Sequence, residues 1–299
     1  MMRRIDFSTR PALTGAILMV GAGALFAGVN TLMQYGAMTL QIAPSKLAFW
    51  QYLMAFLCVL PWLFGCNAIR LTRTHLPWHL ARVGLAACGV QLWVMGLAHV
   101  PIWQAIALVM LSPFFVTAGA GLFLREKTTF IRWMAVAIGF VGGMIILAPW
   151  SDSFTIHAFY PIAAAALWAV SSLLTKHMTG FESAETLTFY LLLLLTPINA
   201  ALAWDSGWTI GLDISGGILL AAGLLTALAQ YALAKAYSIA DAAYLQPFDH
   251  IKLPFNVGLG LIVFGFVPPG SMWLGSALIV GASFYLLRLE TRPKSTAAA

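Results

Sequence analysis

The sequence predicts an all-α integral membrane protein with ten transmembrane helices in two inverted five-helix repeats. Of its 299 residues, 61% are hydrophobic and only 9% are charged, whereas about 25% are charged in typical soluble domains. The apolar residues form unbroken runs of about twenty, the length of a membrane-crossing helix, and not the short alternating segments of a β-barrel. Residues 130–147 also align with residues 270–287 at an offset of 140. An odd number of spans per repeat would make the second copy enter the bilayer the opposite way round.

Charged residues, prolines and glycines break the apolar runs into ten spans. Five fill residues 1–150, the first repeat, and five fill residues 151–299, the second. The first run follows the string MMRRIDFSTR, but it is too long for a signal peptide and lacks a clear cleavage site, so it is taken as a span. The predicted spans are 11–33, 46–65, 82–99, 103–124, 131–149, 156–178, 185–204, 215–236, 241–265 and 270–288.

The basic residues predict the orientation of these spans. With the N-terminus in the cytoplasm, fourteen of the sixteen Lys and Arg residues, Arg82 among them, lie at cytoplasmic ends. Only Lys46 lies near an outer end, and Lys252 lies within a span. We therefore expect a multi-pass protein of the cell inner membrane with both termini in the cytoplasm.

Several classes of function lack their sequence signals. The basic residues never gather into one face, which argues against nucleic acid, and the absence of a GxxxxGK[ST] string argues against ATP. No HExxH string, CxxC cluster or pair of intramembrane carboxylates indicates an enzyme or a metal site. We therefore predict a protein that is not an enzyme, has no cofactor and contacts the lipid bilayer.

Three strings resemble the EamA-type repeat of the drug/metabolite transporter superfamily. They are FWQYLMAFLCVLP in span 2, residues 96–149 with their central Ser-Pro, and residues 240–280 with their PFD and LPF strings. The resemblance implies two inverted five-helix halves around a cavity lined mainly by helices 1, 3, 4, 6, 8 and 9. It also implies export or exchange of small metabolites. Gln51 and Phe266 stand where the family often has a basic residue and a glutamate, so no role is transferred to them.

Span 9 carries the densest group of ionisable residues. Asp249 and Lys252 are three residues apart, hence on one helix face, and lie about 12–16 Å into the bilayer. A charge at such depth is costly, so it usually faces a cavity or a partner. The two residues could bind a zwitterionic substrate or exchange a proton, or they could simply neutralise each other; both interpretations remain open.

Prolines inside the spans are candidate hinges. Pro113 in span 4 aligns within one residue of Pro254 in span 9, and Pro247 adds a third. Because proline removes a backbone hydrogen bond, such positions can flex to open a cavity, or they can form static kinks. The equivalent placement in the two repeats favours flexing.

Other polar and aromatic residues lie at mid-depth in the helices that the resemblance assigns to the cavity. Trp168 is about a dozen residues into span 6, too deep for an interfacial belt. Each such residue could instead bond a neighbouring helix. The remaining predicted substrate-binding residues are Asn30, Gln91, Trp93, Ser112, Ser172, Gln230, Tyr231 and Tyr244.

Together these features predict a secondary-active transporter that exports small metabolites by alternating access. An aromatic cavity with few hydrogen-bonding groups favours amino acids or related zwitterions. One alternative is exchange of a cationic metabolite such as S-adenosylmethionine, which aromatic rings and Asp249 could bind. Another is a membrane sensor that transports nothing. The expected partners are a small-molecule substrate with protons or a counter-substrate, and both a monomer and a homodimer remain open.

Overall fold

The computed structural model of the protein describes residues 11–65, 75–112, 114–115, 130–152, 154–209, 214–240, 245 and 248–290. This part of the chain is all helical and contains no β-strand. Its ten α-helices are α1 (Pro11–Gln34), α2 (Pro44–Gly65), α3 (Leu76–His99), α4 (Ile102–Val109), α5 (Phe130–Leu147), α6 (Phe159–Met178), α7 (Ala184–Leu202), α8 (Ile214–Ile239), α9 (Lys252–Phe264) and α10 (Gly270–Glu290). Each lies within or close to one predicted span, which confirms the helical membrane fold.

Five of these helical regions are long and apolar enough to cross a membrane: Leu13–Thr39, Leu76–His99, Ile156–Met178, Ala184–Leu202 and Ser215–Ile239. Shorter apolar helices lie in α2, α5, α9 and α10. Large apolar side chains such as Phe130, Ile262 and Val267 are exposed on the outside of the bundle. In a lipid environment these side chains face hydrocarbon, as expected of a multi-pass membrane protein.

Two predicted spans are interrupted. Helix α4 ends at Val109, and residues 110 and 111 form a turn before helical geometry resumes at Ser112. Helix α9 begins at Lys252, directly after a turn at residues 250 and 251. Proline cannot donate a backbone hydrogen bond to the carbonyl four residues earlier. The sequence places a proline four residues after Val109 and another four residues after His250, so both turns lie where a continuous helix would lose a bond.

The helices pack in pairs with small residues at the closest contacts. Helix α1 packs against α8 and α9, α3 against α6, α2 against α7 and α8, and α5 against α10. A Cβ atom built on Gly142 would lie 2.7 Å from the carbonyl oxygen of Gly275, and one built on Gly275 would lie 2.6 Å from that of Gly142. Only glycine allows the backbones of α5 and α10 to approach this closely.

Contacts between helices define their relative directions. The Ser171 hydroxyl of α6 donates to the Arg82 carbonyl, the Trp168 indole donates to the Ala86 carbonyl, and Pro161 packs on Gly96. Residue numbers therefore rise along α3 as they fall along α6, so the two helices are antiparallel. We call the end of the bundle at which Arg82 lies the Arg82 end. Trp93 lies about 16 Å further along α3 at the helical rise.

Candidate functional site

A cavity of about 250 Å³ lies between the helices, just below the roughly 300–1,000 Å³ typical of small-molecule pockets. Residues of α1, α2, α3, α4, α6, α7, α8 and α9 line it. The resemblance implied six of these helices, and the structure adds α2 and α7. Most lining side chains are apolar, among them Met19, Phe26 and Leu195.

Two tryptophans form one wall of the cavity. The rings of Trp93 and Trp168 have centroids 5.7 Å apart and are tilted by 53°. Trp168 fits against α3 because residue 89 is glycine, where a Cβ atom would lie 2.5 Å from the indole nitrogen of Trp168. Both rings line the cavity, so a flat substrate ring could stack against them.

Asparagines fix the position of Trp93. The Trp93 indole donates a 3.1 Å hydrogen bond to Oδ1 of Asn30, whose Nδ2 donates a 3.0 Å bond to Oδ1 of Asn256. The Asn256 amide in turn donates to the carbonyl of Lys252 at 2.7 Å. This chain joins α1, α3 and α9 and leaves little freedom in the Trp93 side chain.

The Asp249 and Lys252 side chains contact each other across the turn at residues 250 and 251. Lys252 Nζ lies 2.6 Å from Asp249 Oδ2, with the lysine side chain 16% and the aspartate side chain 30% exposed. Both residues line the cavity. The pair therefore neutralises itself, which agrees with the second of the two interpretations of span 9.

Arg82 is a cavity residue that sequence reasoning missed. It is 3% exposed, and its Nη2 donates a 2.8 Å bond to the Leu187 carbonyl while Nη1 lies 3.4 Å from Oγ1 of Thr175. Its Nε has no hydrogen-bond partner among the residues that the structure describes. The positive-inside count had placed Arg82 at a cytoplasmic end, although it lies almost two turns inside α3. The predicted span began at residue 82 itself, so nothing in the sequence indicated this depth.

Eight predicted substrate-binding residues line this one cavity. Gln91 and Tyr231 do not, and each bonds α7 instead: Gln91 Nε2 donates to Asn199 at 2.6 Å, and the Tyr231 hydroxyl donates to Glu185 at 3.2 Å. Tyr244, Pro113 and Pro247 lie outside the described residues. The eight are Asn30, Trp93, Ser112, Trp168, Ser172, Gln230, Asp249 and Lys252.

Pro254 lies in the first turn of α9 and not in the middle of a helix. At this position its missing N–H would have no helical partner in any case. The interruption of span 9 lies a few residues earlier, at residues 250 and 251. The hinge role of Pro254 remains a prediction.

Further polar lining residues come from helices that sequence reasoning did not use for the site. Gln51 of α2 donates a 2.9 Å bond to Oγ1 of Thr226 in α8. Tyr52 of α2 and Thr188 of α7 also line the cavity. In the described part of the chain, no group of three or more His, Cys, Asp or Glu side chains could hold a metal ion.

Known proteins resemble the chain over nearly its full length. The model of the EamA-like transporter family matches residues 13–148. A riboflavin transporter of Rhizobium johnstonii is 53% identical over 97% of each chain. A riboflavin transporter of Vibrio cholerae serotype O1 is 47% identical over 94% of this chain and 95% of its own length. A solved crystal structure that covers 93% of this chain and 98% of its own shares the fold, with a TM-score of 0.63 and 16% identity.

These relatives show that the predicted export of amino acids or zwitterions is wrong. They are named for a vitamin, and Asp249 and Lys252 neutralise each other, so the charged pair that motivated a zwitterion already has its partners. The S-adenosylmethionine alternative has more distant support: a relative in Rickettsia felis named an S-adenosylmethionine uptake transporter is 24% identical over 84% of this chain and 85% of its own. The sensor alternative is wrong as well, since the relatives are named transporters.

Proposed function

The chain belongs to the EamA-like transporter family, and on this premise we propose that it carries riboflavin across the membrane through the cavity between its helices. It is a transporter and not an enzyme, as the sequence predicted. The observation that carries the riboflavin proposal is the 53% identity to a riboflavin transporter over 97% of both chains.

The chemistry of the cavity is compatible with this substrate. Riboflavin has a flat isoalloxazine ring with one polar edge and a chain of hydroxyl groups. The rings of Trp93 and Trp168, which line the cavity, can stack on such a ring. Hydroxyls and amides such as Ser172, Gln230 and Thr175 supply donors and acceptors for the polar edge and the hydroxyl chain. Riboflavin carries no net charge, which suits a cavity whose Asp249 and Lys252 are paired.

We further propose that the predicted lining residues Asn30, Ser112, Asp249 and Lys252 contact riboflavin or hold the residues that do. Asn30 acts through Trp93, to which it is hydrogen-bonded. Asp249 and Lys252 contribute one carboxylate and one ammonium to the lining of the cavity.

The inverted arrangement of the two repeats is part of this proposal. The turns at residues 110–111 and 250–251 are separated by the same 140 residues that align the repeats. The repeated helices α5 and α10 are antiparallel at their contact, since Gly142 meets Ile279 where Ile146 meets Gly275. Interrupted helices beside a central cavity are typical of transporters with inverted repeats. These observations support movement at the two turns, next to the predicted hinges Pro113, Pro247 and Pro254.

We propose the inner membrane as the location, with both termini in the cytoplasm. The support is the distribution of basic residues, fourteen of which lie at cytoplasmic ends in this orientation. The segment between α6 and α7 then lies on the cytoplasmic side, and the segment between α7 and α8 lies outside.

Riboflavin flux into proteoliposomes tests the proposal. Vesicles that contain the purified protein and are preloaded with riboflavin should take up labelled riboflavin faster than protein-free vesicles. Excess unlabelled riboflavin should suppress this uptake, whereas a mixture of amino acids should not. Uptake equal to that of protein-free vesicles would refute the proposal.

A further inference from the structure

Arg82 is a buried cation that has no carboxylate partner in the part of the chain that the structure describes. None of the ion pairs among these residues includes it. A guanidinium has five N–H donors, and two described acceptors receive them: the Leu187 carbonyl at 2.8 Å and, more weakly, Oγ1 of Thr175 at 3.4 Å. Burying a charge that keeps unused donors is costly unless another group pairs with it.

The Glu182 carboxylate at the same end is engaged by histidines. Its side chain is only 4% exposed, and its Oε1 lies 2.7 Å from Nδ1 of His75 and 3.8 Å from Nε2 of His79. We call these three residues the Glu182 cluster. None of the three lines the cavity, whereas Arg82 does. A molecule in the cavity can therefore supply the acceptors that Arg82 lacks.

Two threonine hydroxyls provide acceptors next to these donors. Thr175 and Thr188 line the cavity beside Arg82. Each hydroxyl donates its proton to a backbone carbonyl of its own helix, at 2.9 Å for Thr175 and 2.8 Å for Thr188. Since a threonine hydroxyl has a single proton, both oxygens are left as acceptors. This mixed set suits alcohol hydroxyls, which donate and accept, better than a phosphate, whose oxygens mainly accept.

These polar residues lie next to the tryptophan wall along the cavity. Seven residues separate Trp168 from Thr175 on α6, which is about 10 Å at the helical rise. On α3, the carbonyl that accepts from the Trp168 indole belongs to Ala86, about one turn from Arg82. The aromatic wall and the polar residues therefore follow each other in the order of a flat ring and a chain attached to it.

We propose that Arg82, Thr175 and Thr188 form a subsite for the hydroxyl chain of riboflavin, while the isoalloxazine ring stacks on Trp93 and Trp168. Arg82 donates to hydroxyl oxygens of the chain, and chain hydroxyls donate to the two threonine oxygens. The subsite rests on the proposed function, since riboflavin is the molecule whose chain it binds. Arg82 is thereby a specificity-determining residue, which favours flavins that carry the chain over flavins that lack it.

Binding of two flavins tests the subsite. Lumiflavin has the ring of riboflavin with a methyl group in place of the hydroxyl chain, so it should stack on the tryptophans without reaching the subsite. In detergent, the wild-type protein should bind riboflavin about tenfold more tightly than lumiflavin, as measured by quenching of flavin fluorescence. Arg82→Met should weaken riboflavin binding about tenfold and leave lumiflavin binding unchanged.

Lys176→Met is the matched control. Lys176 follows Thr175 on α6 and contacts the carbonyls of Tyr237 and Ala240, but it does not line the cavity. This variant should bind both flavins as the wild type does. Equal wild-type affinities for the two flavins would overturn the subsite. An equal loss of both in Arg82→Met would also overturn it, because a purely structural role or a contact with the ring affects both flavins alike.

A milder variant tests the subsite where Arg82→Met fails to fold. Thr188→Val keeps the shape of the side chain and removes a hydroxyl that bonds only its own helix among the described residues. It should weaken riboflavin binding about threefold and leave lumiflavin binding unchanged. An unchanged riboflavin affinity would overturn the subsite. Wild-type protein that binds neither flavin would contradict the proposed function, and the subsite with it.

Discussion

Single side chains determine how the cavity could bind a ring. Trp168 packs directly against the backbone of α3 at Gly89, which has no side chain, and its ring contacts that of Trp93 on the other side. Trp93 is itself fixed by Asn30. A wall whose rings are already fixed loses little entropy when a flat substrate stacks on it, so these residues should contribute strongly to binding.

Trp168→Ala should weaken riboflavin binding about tenfold, because stacking of an aromatic ring on a nucleobase contributes roughly 1–3 kcal/mol. Binding is measured by quenching of riboflavin fluorescence with the purified protein in detergent. Trp204→Ala is the matched control, since Trp204 is exposed and outside the cavity. Equal affinities for the two variants would contradict a role of Trp168 in binding.

The contact between Asp249 and Lys252 predicts a non-additive pair of substitutions. Lys252→Met alone leaves a partly buried carboxylate without its partner and should lower the free energy of unfolding by roughly 1–3 kcal/mol. Asp249→Asn together with Lys252→Met removes both charges and should restore most of this loss. Thermal unfolding in detergent measures both. A double variant less stable than the single one would show that the charges do not act mainly on each other.

The histidine and arginine positions show the limit of reasoning from one sequence. Trp168 could be identified because its depth in span 6 excludes the membrane interface. Arg82 was assigned to an interface because its depth depends on where α3 begins, and α3 begins at Leu76, six residues before the predicted start of the span. The Glu182 carboxylate that lies 3.8 Å from Nε2 of His79 belongs to a segment about a hundred residues later, and no local sequence pattern predicts this contact.

Among the helices, α5 and α10 approach each other through a glycine on each side. The carbonyl oxygen of each of Gly142 and Gly275 lies within 2.7 Å of the position that a Cβ atom on the other residue would occupy. The repeat made both helices visible in the sequence, and their small residues indicated close packing. The sequence did not indicate that the two repeated helices pack against each other, because a helix with small residues can fit several neighbours.

Gly275→Ala should separate α5 from α10 and lower the free energy of unfolding by roughly 1–3 kcal/mol, the usual cost of overpacking. Thermal unfolding in detergent is again the measurement. For Gly281→Ala on the same helix, no described atom beyond the nearby helix backbone lies within 4 Å of the new Cβ atom, so it should leave stability unchanged or raise it. A Gly275→Ala variant as stable as Gly281→Ala would mean that the two helices can separate without loss.

For the protein as a whole, the proposed orientation in the bilayer rests on the count of spans and the basic residues. Alkaline phosphatase fused after residue 208, between α7 and α8, should be active because it reaches the outer side. The same enzyme fused after residue 180, between α6 and α7, should be inactive in the cytoplasm. Activities of the two fusions in cells, corrected for expression, measure this. The reverse pattern would overturn the proposed orientation.

The membrane class, the ten helices and the family resemblance could all be read from the chain, because apolar run length and composition act locally and do not depend on which helices meet. Eight cavity residues could be predicted for the same reason, as polar or aromatic groups at mid-depth. The pairing of Asp249 with Lys252, the burial of Arg82, the Glu182 cluster and the antiparallel contact of α5 with α10 required the folded chain. Each depends on distances between side chains or helices, which a helical repeat restricts but does not specify.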